Sequence, residues 1–295
     1  WSSDVCSSDL GDHVGSARQP GVGRHRGGGD REAVVGGSLS PAPVVAIVSP
    51  KGGNGKTTIA SNLAVSLARR LPTIIVDLDV HFGDIEFALR MRPVHRLDDV
   101  VAAVRDGKTD IEGLLAPHPS GLEVLCAPPD PVVADRLDPD EVMAAVDALL
   151  GFERPTVLDT AGGISEYALG ALDRATHVVL VSGTDVPSIQ AGRKLLDSLQ
   201  ALDMPLDLVR LVVNRSTTQV GLSAADVEEV LGLPAALLVP ERSSLAAAMN
   251  AGSPVTESSP RSPIAVAFNQ FADSLLGIDA APRRRFRLLR PGGRS

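Results

Sequence analysis

Short apolar runs alternate with segments of helical periodicity along most of the 295-residue chain. The apolar runs are continuous, which is typical of strands that are buried on both faces of a parallel sheet. Strands are predicted at residues 44–49, 73–79, 122–128, 155–160, 177–182, 207–215 and 235–240. Helices are predicted at residues 56–70, 139–150, 164–174, 186–202, 223–232, 243–251 and 263–277, with a looser helical region at residues 84–105. This order predicts an α/β fold with a doubly wound, mostly parallel sheet between two layers of helices.

The two ends of the chain differ in composition from the part between them. Residues 1–10, WSSDVCSSDL, match the translation expected of a sequencing adapter, so we interpret them as an artefact at the start of a truncated gene. Residues 11–40 are rich in glycine and predict a flexible linker from an upstream domain. Residues 41–280 are expected to form one folded domain. Residues 281–295 hold six arginines and no acid, which predicts a basic disordered tail, with an anionic-lipid contact as the alternative.

Charge and cysteine content exclude several classes of function. Residues 41–282 carry a net charge of −13, and an acidic body of this kind is a poor general binder of nucleic acid. Cys126 is the one cysteine outside residues 1–10, so neither a disulfide nor a multi-cysteine metal site is expected within one chain. No apolar run approaches the ~18 residues that cross a bilayer, and no secretory signal opens the chain. The expected location is cytoplasmic, with a peripheral contact of the basic tail at the inner membrane face as an addition.

The segment PKGGNGKTT, residues 50–58, lies between the first predicted strand and the first predicted helix. Gly55, Lys56 and Thr57 match the end of the phosphate-binding pattern G-x-x-x-x-G-K-[ST], although Pro50 stands where the first glycine belongs. Glycine-rich backbone can fold around phosphate, and the N-terminus of the following helix attracts the anion. The loop residues expected around the phosphates are Gly52, Gly53, Asn54 and Gly55.

The phosphate-binding pattern also assigns side-chain roles and predicts ATP and Mg²⁺ as ligands. Lys56 is expected to contact the β- and γ-phosphates, and the Thr57 hydroxyl is expected to hold Mg²⁺. Thr58 is placed to contact the α-phosphate. A glycine-rich turn that binds nothing is the alternative interpretation of the same residues.

Lys51 is a second lysine in the same loop and needs its own explanation. The segment KGGNGKTT resembles the deviant Walker A motif, KGGxGK[ST], of the MinD/ParA family of P-loop ATPases. The resemblance implies that Lys51 crosses the interface of a homodimer and contacts the phosphates bound by the partner copy. Two nucleotides face to face concentrate negative charge that one lysine per site would neutralise poorly. A solvated loop lysine is the alternative.

Three further segments resemble motifs of the same family. By the match of IIVDLDVHFGD, Asp79 would orient the attacking water and Asp77 would support the Mg²⁺ shell or the switch. By the match of TVLDTAGG to Walker B, Asp159 would hold Mg²⁺ through water. By the match of LVVNR, Asn214 would hydrogen-bond the adenine base. The catalytic set implied by the resemblance is therefore Lys51, Lys56 and Asp79, on a P-loop NTPase fold.

Within the family, four segments resemble the CpaE/TadZ group: DLDVHFGDIEFAL, HRLDDVVAAV, HPSGLEVLCAPPDP and VPERSSLAAAMNAGSPV. Members of this group act in pilus assembly and polar localisation, and the group merges into septum-site-determining proteins. The resemblance implies a slow ATPase that dimerises with ATP and positions a pilus, secretion or cell-division assembly through a protein partner. A ParA-like partitioning ATPase is one alternative. Others are a metabolic enzyme that activates a carboxylate with ATP, and a scaffold that holds ATP without hydrolysing it.

Overall fold

The computed structural model describes residues 41–216, 222–241 and 243–278. The predicted artefact at 1–10, the predicted linker at 11–40 and the predicted tail at 281–295 lie outside these residues. None of the helices in the described ranges has both the length and the apolar character needed to span a membrane.

The described residues form one eight-stranded sheet. Its strands are β1 (Val44–Val48), β2 (Thr73–Leu78), β3 (Ala116–Pro117), β4 (Leu122–Leu125), β5 (Thr156–Thr160), β6 (His177–Ser182), β7 (Val209–Asn214) and β8 (Ala235–Val239). The strand order is β3-β4-β2-β5-β1-β6-β7-β8, and every neighbouring pair is parallel except β3 with β4. This confirms the predicted doubly wound, mostly parallel sheet.

Helices cover both faces of the sheet. They are α1 (Lys56–Ala68), α2 (Ile85–Ala88), α3 (Leu97–Arg105), α4 (Pro131–Ala134), α5 (Pro139–Leu150), α6 (Glu166–Arg174), α7 (Val186–Ala201), α8 (Ala224–Leu231), α9 (Ser243–Asn250), α10 (Val255–Ser258) and α11 (Pro263–Leu275). Two short 3₁₀ turns, Glu112–Leu114 and Leu206–Leu208, complete the set.

Successive residues of each central strand point to opposite faces of the sheet. In β1, Ala46 and Val48 join a core cluster with α3, α5, α6, α7 and α8, whereas Val45 and Ile47 join a cluster with α1, α2, α9, α10 and α11. All residues of β1, β2 and β5 are buried. The two clusters explain why these strands are apolar without alternation, and they confirm the predicted three-layer arrangement.

The looser helical region predicted at residues 84–105 holds two helices, α2 and α3. The chain between them has Arg90 in the left-handed region, with φ 51°, and Pro93, which lacks a backbone N–H. Helix α3 then begins anew, and the Asp99 carboxylate accepts a hydrogen bond from the backbone N–H of Arg96 at 3.0 Å. The elements β3, α4 and α10 were not predicted, because two to four residues are too few to show a period.

The central strand β1 lies between β5 and β6, with β2 beyond β5 on one side and β7 beyond β6 on the other. In such sheets, ligands bind at the carboxyl ends of the strands where the strand order reverses. This edge of the sheet holds the loop at residues 49–55 and the residues that follow β2, β5, β6 and β7.

Candidate nucleotide-binding site

The loop between β1 and α1 needs glycine at two positions for backbone reasons. Gly53 and Gly55 have φ of 79° and 89°, a conformation that other residues adopt at a steric cost. A Cβ atom on Gly55 would lie 2.4 Å from the Asn214 side-chain nitrogen. Helix α1 starts directly after Gly55 and has no side-chain cap on its first turn. Its first N–H groups are therefore available to an anion such as phosphate.

Asp159 at the end of β5 is a buried carboxylate without a hydrogen-bond partner. Its exposure is 1%, and neither carboxylate oxygen has a partner among the described residues. Burial raises the pKa of Asp159 to about 7, against the opposing effects of the neighbouring Thr57 hydroxyl and of the Lys56 ammonium group. Lys56 itself is 7% exposed. Because an unpartnered buried carboxylate is costly, this arrangement is suited to a cation that binds beside Asp159.

The residues around Asp159 fit Mg²⁺. The Thr57 side chain lies next to the Asp159 carboxyl group, and both offer the hard oxygen atoms that Mg²⁺ prefers. In the ranges described above, no three His, Cys, Asp or Glu side chains form a cluster that could hold a metal by themselves. This is compatible with an ion that takes most of its ligands from phosphates and water. Thr57 and Asp159 are thus the residues that would hold Mg²⁺.

Asp77 has the same burial as Asp159 but different surroundings. The two residues are register partners on the adjacent strands β2 and β5. The Asp77 carboxylate accepts hydrogen bonds from the backbone N–H groups of Asp79 at 3.2 Å and Ile85 at 3.1 Å. Burial, together with the charge of Asp159, raises the pKa of Asp77 well above its usual range. Asp77 therefore organises the segment 79–85, and its predicted contribution to the Mg²⁺ shell stays a prediction.

Asp79 and Thr58 are both half-buried at this edge of the sheet. Asp79 opens the segment that Asp77 holds, one residue beyond the end of β2. Thr58 lies in the first turn of α1, directly after Lys56 and Thr57. Their predicted roles, in orienting water and in contacting the α-phosphate, stay predictions.

The segment after β5 packs directly on the phosphate-binding loop. The backbone N–H of Gly163 donates to the Ser49 carbonyl at 2.9 Å. A Cβ atom on Gly162 would lie 2.4 Å from the backbone nitrogen of Gly52. The close approach of two backbones is therefore the reason for glycine at position 162.

Lys51 is held by its own chain. Its ammonium group donates a hydrogen bond to the Asp185 carboxylate at 3.1 Å, with side-chain exposures of 43% and 53%. Asp185 is the N-cap of α7 and accepts hydrogen bonds from the Ser188 hydroxyl at 2.5 Å and the Ser188 backbone N–H at 2.9 Å. These bonds and the nearby Lys51 charge lower the pKa of Asp185 to about 2. The Ser188 hydroxyl also lies 3.3 Å from the Asn54 amide oxygen, so α7 contacts the loop twice.

Asn214 at the end of β7 braces the same loop. Its amide N–H donates to the Asn54 carbonyl at 2.8 Å, and its amide oxygen accepts from the Arg215 N–H at 2.9 Å. A cavity of about 180 Å³ opens beside it. The cavity is lined by Asn54, Gly183, Thr184, Asp185, Asn214, Arg215 and Glu241. The hydrogen bond from Asn214 to adenine stays a prediction, while the bracing of Asn54 is a feature that the sequence did not predict.

Residues 45–255 match the CobQ/CobB/MinD/ParA nucleotide-binding domain family. The chain belongs to this family. It is a MinD/ParA-type P-loop ATPase by sequence and by fold, as the resemblance implied. An uncharacterized ATP-binding protein of Methanocaldococcus jannaschii is 30% identical over 242 residues, which cover 80% of this chain and 88% of that protein.

Two solved structures show how widely the MinD/ParA-type fold is shared. The septum site-determining protein MinD of Pyrococcus horikoshii, complexed with Mg-ADP, has a TM-score of 0.70 at 22% identity and covers 79% of this chain and 96% of its own. A MinC:MinD cell division protein complex of Aquifex aeolicus has a TM-score of 0.69 at 23% identity, with 83% and 99% covered. At these identities the likeness shows the fold.

This MinD/ParA-type ATPase brings the predicted residues together at one edge of the sheet, from the ends of β1, β2, β5 and β7. The sequence did not predict Asp185 or Ser188 as part of the site. A local signal exists, since an Asp two residues before Pro187 at the start of a helix is a typical N-cap. That signal predicts the helix start, but the contact with Lys51, 134 residues away, depends on the folded sheet.

Proposed function

We propose that this protein is an ATP-dependent switch in which two copies close on bound ATP and separate after slow hydrolysis. Lys51 is the observation that carries the proposal. Lys56 is buried at the site, whereas Lys51 is exposed and bound only through a surface ion pair with Asp185. Such exposed pairs contribute only about 0–1 kcal/mol, so Lys51 can exchange Asp185 for phosphate oxygens of a partner copy at little cost.

The surface around the site supports closure by a second copy. Large apolar side chains are exposed on the segments that follow four strands of this edge, β2, β4, β5 and β6. They are Phe82, Val132, Ile164 and Val186. Apolar side chains that converge on one face mark a surface that another protein covers. The homodimer with ATP between the two copies is therefore our proposed active state.

In the proposed dimer, each copy contributes residues that have different roles in hydrolysis. Thr57 and Asp159 would hold Mg²⁺, which would neutralise charge on the phosphates. Lys56 contacts the phosphates from its own chain, and Lys51 contacts those of the partner copy. Asp79 orients the attacking water. Hydrolysis removes the group that Lys51 contacts, so the two copies separate and the cycle restarts.

We further propose that the cycle positions a pilus, secretion or cell-division assembly, as in the CpaE/TadZ branch. The support is the resemblance of four segments to that branch and, for a protein partner in general, the MinC:MinD complex of the related fold. The proposal includes a cytoplasmic location, with residues 281–295 as a peripheral contact with anionic lipid. The acidic body disfavours DNA partitioning.

Light scattering of the full chain with Mg·ATP, with Mg·ADP and without nucleotide tests the switch. We expect a dimer with ATP alone, a monomer for Lys51→Ala under all conditions, and a longer-lived dimer for Asp79→Ala. Lys108→Ala, which removes an exposed lysine far along the sequence from the loop, is the matched control and should behave like wild type. A wild-type protein that binds ATP and stays monomeric would contradict the proposal, as would a Lys51→Ala variant that dimerises normally.

A further inference from the structure

A second concave surface lies away from the residues assigned to ATP. It is a groove of about 1460 Å³ between α2, the segment after it, the sheet edge and the turn after α9. Its lining consists of residues 86–87, 90–95, 113–117 and 249–252. None of these residues belongs to the phosphate-binding loop or to the predicted magnesium site. The volume exceeds the roughly 300–1,000 Å³ that is usual for small-molecule sites, so the groove is sized for a chain segment.

The groove combines exposed apolar side chains with the short edge strand β3. Phe87 and Val94 both line the groove and are 69% and 88% exposed, so two large apolar side chains face solvent on the same concave surface. On the opposite wall, β3 is the last strand of the sheet and, among the described residues, pairs only with β4. Because β3 has two residues and one of them is Pro117, which lacks a backbone N–H, this edge offers little strand pairing, and the exposed apolar side chains are the main contact surface here.

The groove also carries positive charge that its own residues do not neutralise. Arg90 and Arg92 are exposed, and neither forms an ion pair with a carboxylate within the described ranges. Glu86 is the acidic residue in the lining, and it is already paired with Arg96 at 2.6 Å. These two arginines stand out in a body whose net charge over residues 41–282 is −13. Carboxylates are the groups that planar guanidinium side chains bind best.

Close packing fixes the wall that carries these arginines. Arg90 has a φ of 51°, which is rare for a residue with a side chain. A Cβ atom on Gly252 would lie 2.7 Å from the Phe87 carbonyl oxygen and 2.8 Å from the Arg90 Cβ. The turn after α9 is therefore pressed against the end of α2. A preformed wall lowers the ordering cost of binding, and locally strained residues cluster at functional surfaces.

We propose that this groove binds an acidic peptide segment of a partner protein. Carboxylates of the segment pair with Arg90 and Arg92, and its apolar side chains cover Phe87 and Val94. The basic residues 281–295 of the chain itself are repelled by these arginines, and the acidic body repels nucleic acid. The proposal does not depend on ATP hydrolysis or on dimerisation at the nucleotide edge.

A random dodecapeptide library displayed on phage tests the groove. The library is selected on the full wild-type chain and counter-selected on the double variant Arg90→Glu/Arg92→Glu. We expect the retained peptides to carry two or more Asp or Glu together with Leu, Ile or Phe. A fluorescent copy of the best peptide should bind the double variant at least tenfold more weakly than wild type, by anisotropy. Its affinity for wild type should also fall as salt is raised from low to physiological concentration.

Three variants separate the groove from general charge and from folding. Arg261→Glu reverses an exposed arginine outside the groove and should leave peptide affinity within twofold of wild type. Val94→Ser keeps both arginines and should weaken binding severalfold, because the apolar contact is lost. Should the double variant fail to fold by thermal unfolding, the single variant Arg92→Gln takes its place, with an expected loss of threefold or more.

Several results would overturn the proposal. Neutral or basic peptides after selection, or equal retention by wild type and the double variant, would show that the groove does not select acidic segments. A wild-type dimer in the absence of nucleotide that dissociates on Arg90→Glu would show that a second copy occupies the groove. An equal loss of peptide binding in Arg261→Glu would show that the effect is general electrostatics.

Discussion

The strands β2 and β5 are neighbours in the sheet, and each has a buried aspartate as its second-last residue. The two carboxylates differ in their hydrogen-bond partners. Asp77 at the end of β2 accepts two backbone hydrogen bonds and orders the segment 79–85. Asp159 at the end of β5 accepts none from the described residues. The comparison shows that burial alone does not distinguish a structural carboxylate from one that is available to a ligand. The hydrogen bonds that each carboxylate accepts do distinguish the two.

The largest expected effect follows from removing the structural carboxylate. Asp77→Ala leaves the N–H groups of Asp79 and Ile85 without their acceptor, and each lost partner costs about 1–3 kcal/mol. We expect the free energy of unfolding to fall by roughly 2–5 kcal/mol in urea titrations. Asp159→Ala should destabilise far less, because its oxygens have no partners to lose. Equal destabilisation by the two substitutions would contradict the comparison.

The next effect is a pH dependence that Asp159 imposes on the metal-free protein. Burial raises its pKa to about 7, so the folded state keeps its proton at pH values where the unfolded chain has lost it. Stability is then fully present below the unfolded pKa near 4 and decreases as pH rises through 7, with roughly 2–3 kcal/mol of the loss between pH 5 and pH 8. Chemical denaturation in EDTA at pH 5 and pH 8 measures this loss.

Asp159→Asn sharpens that prediction, because the amide cannot ionise. The variant should be the more stable protein at pH 8 in EDTA and should lose much of the dependence on pH. It should also lose the stabilisation that Mg·ATP gives to wild type. Parallel pH profiles for wild type and Asp159→Asn would exclude Asp159 as the source.

A smaller effect is expected where the segment after β5 meets the phosphate-binding loop. In Gly162→Ala the new methyl group would collide with the backbone of Gly52, so the loop must shift. We expect a loss of about tenfold in affinity for a fluorescent ATP analogue, which corresponds to ~1.4 kcal/mol. Gly113→Ala, at a glycine with open space around it and an ordinary φ, is the control and should bind normally. Normal binding by Gly162→Ala would show that the contact with Gly52 is dispensable.

The smallest effect concerns the ion pair that holds Lys51. Asp185→Asn weakens the pair but keeps a good N-cap for α7, so stability should change by less than about 0.5 kcal/mol. With Lys51 released, we expect half-maximal dimerisation at a two- to fivefold lower ATP concentration, measured by light scattering. A requirement for more ATP than wild type would show that Asp185 assists the dimer instead.

The central strands and the long helices could be predicted from the sequence because burial on both faces leaves a continuous apolar signal. The helix at 139–150 and the strand at 177–182 have the predicted bounds. The looser helical region at 84–105 holds two helices, and apolar spacing did not reveal the break between them at the left-handed residue Arg90. The loop and Asp159 were predicted from local motifs. The partners of Asp77 and Lys51 were not, since both contacts join segments that meet only in the folded sheet.

The hydrogen bond from Ile85 to Asp77 has a consequence for both proposals. Ile85 is the first residue of α2, which forms one wall of the groove, and Asp77 is the register partner of the carboxylate that faces the predicted Mg²⁺. We therefore expect that binding in the groove or at the nucleotide site, if it moves this hydrogen bond, changes the structure at the other site. If ATP changes the affinity of the groove for its peptide by some factor, thermodynamic reciprocity requires the peptide to change the affinity for ATP by the same factor. A partner that binds the groove, without contacting any phosphate, would then set how much ATP the switch needs.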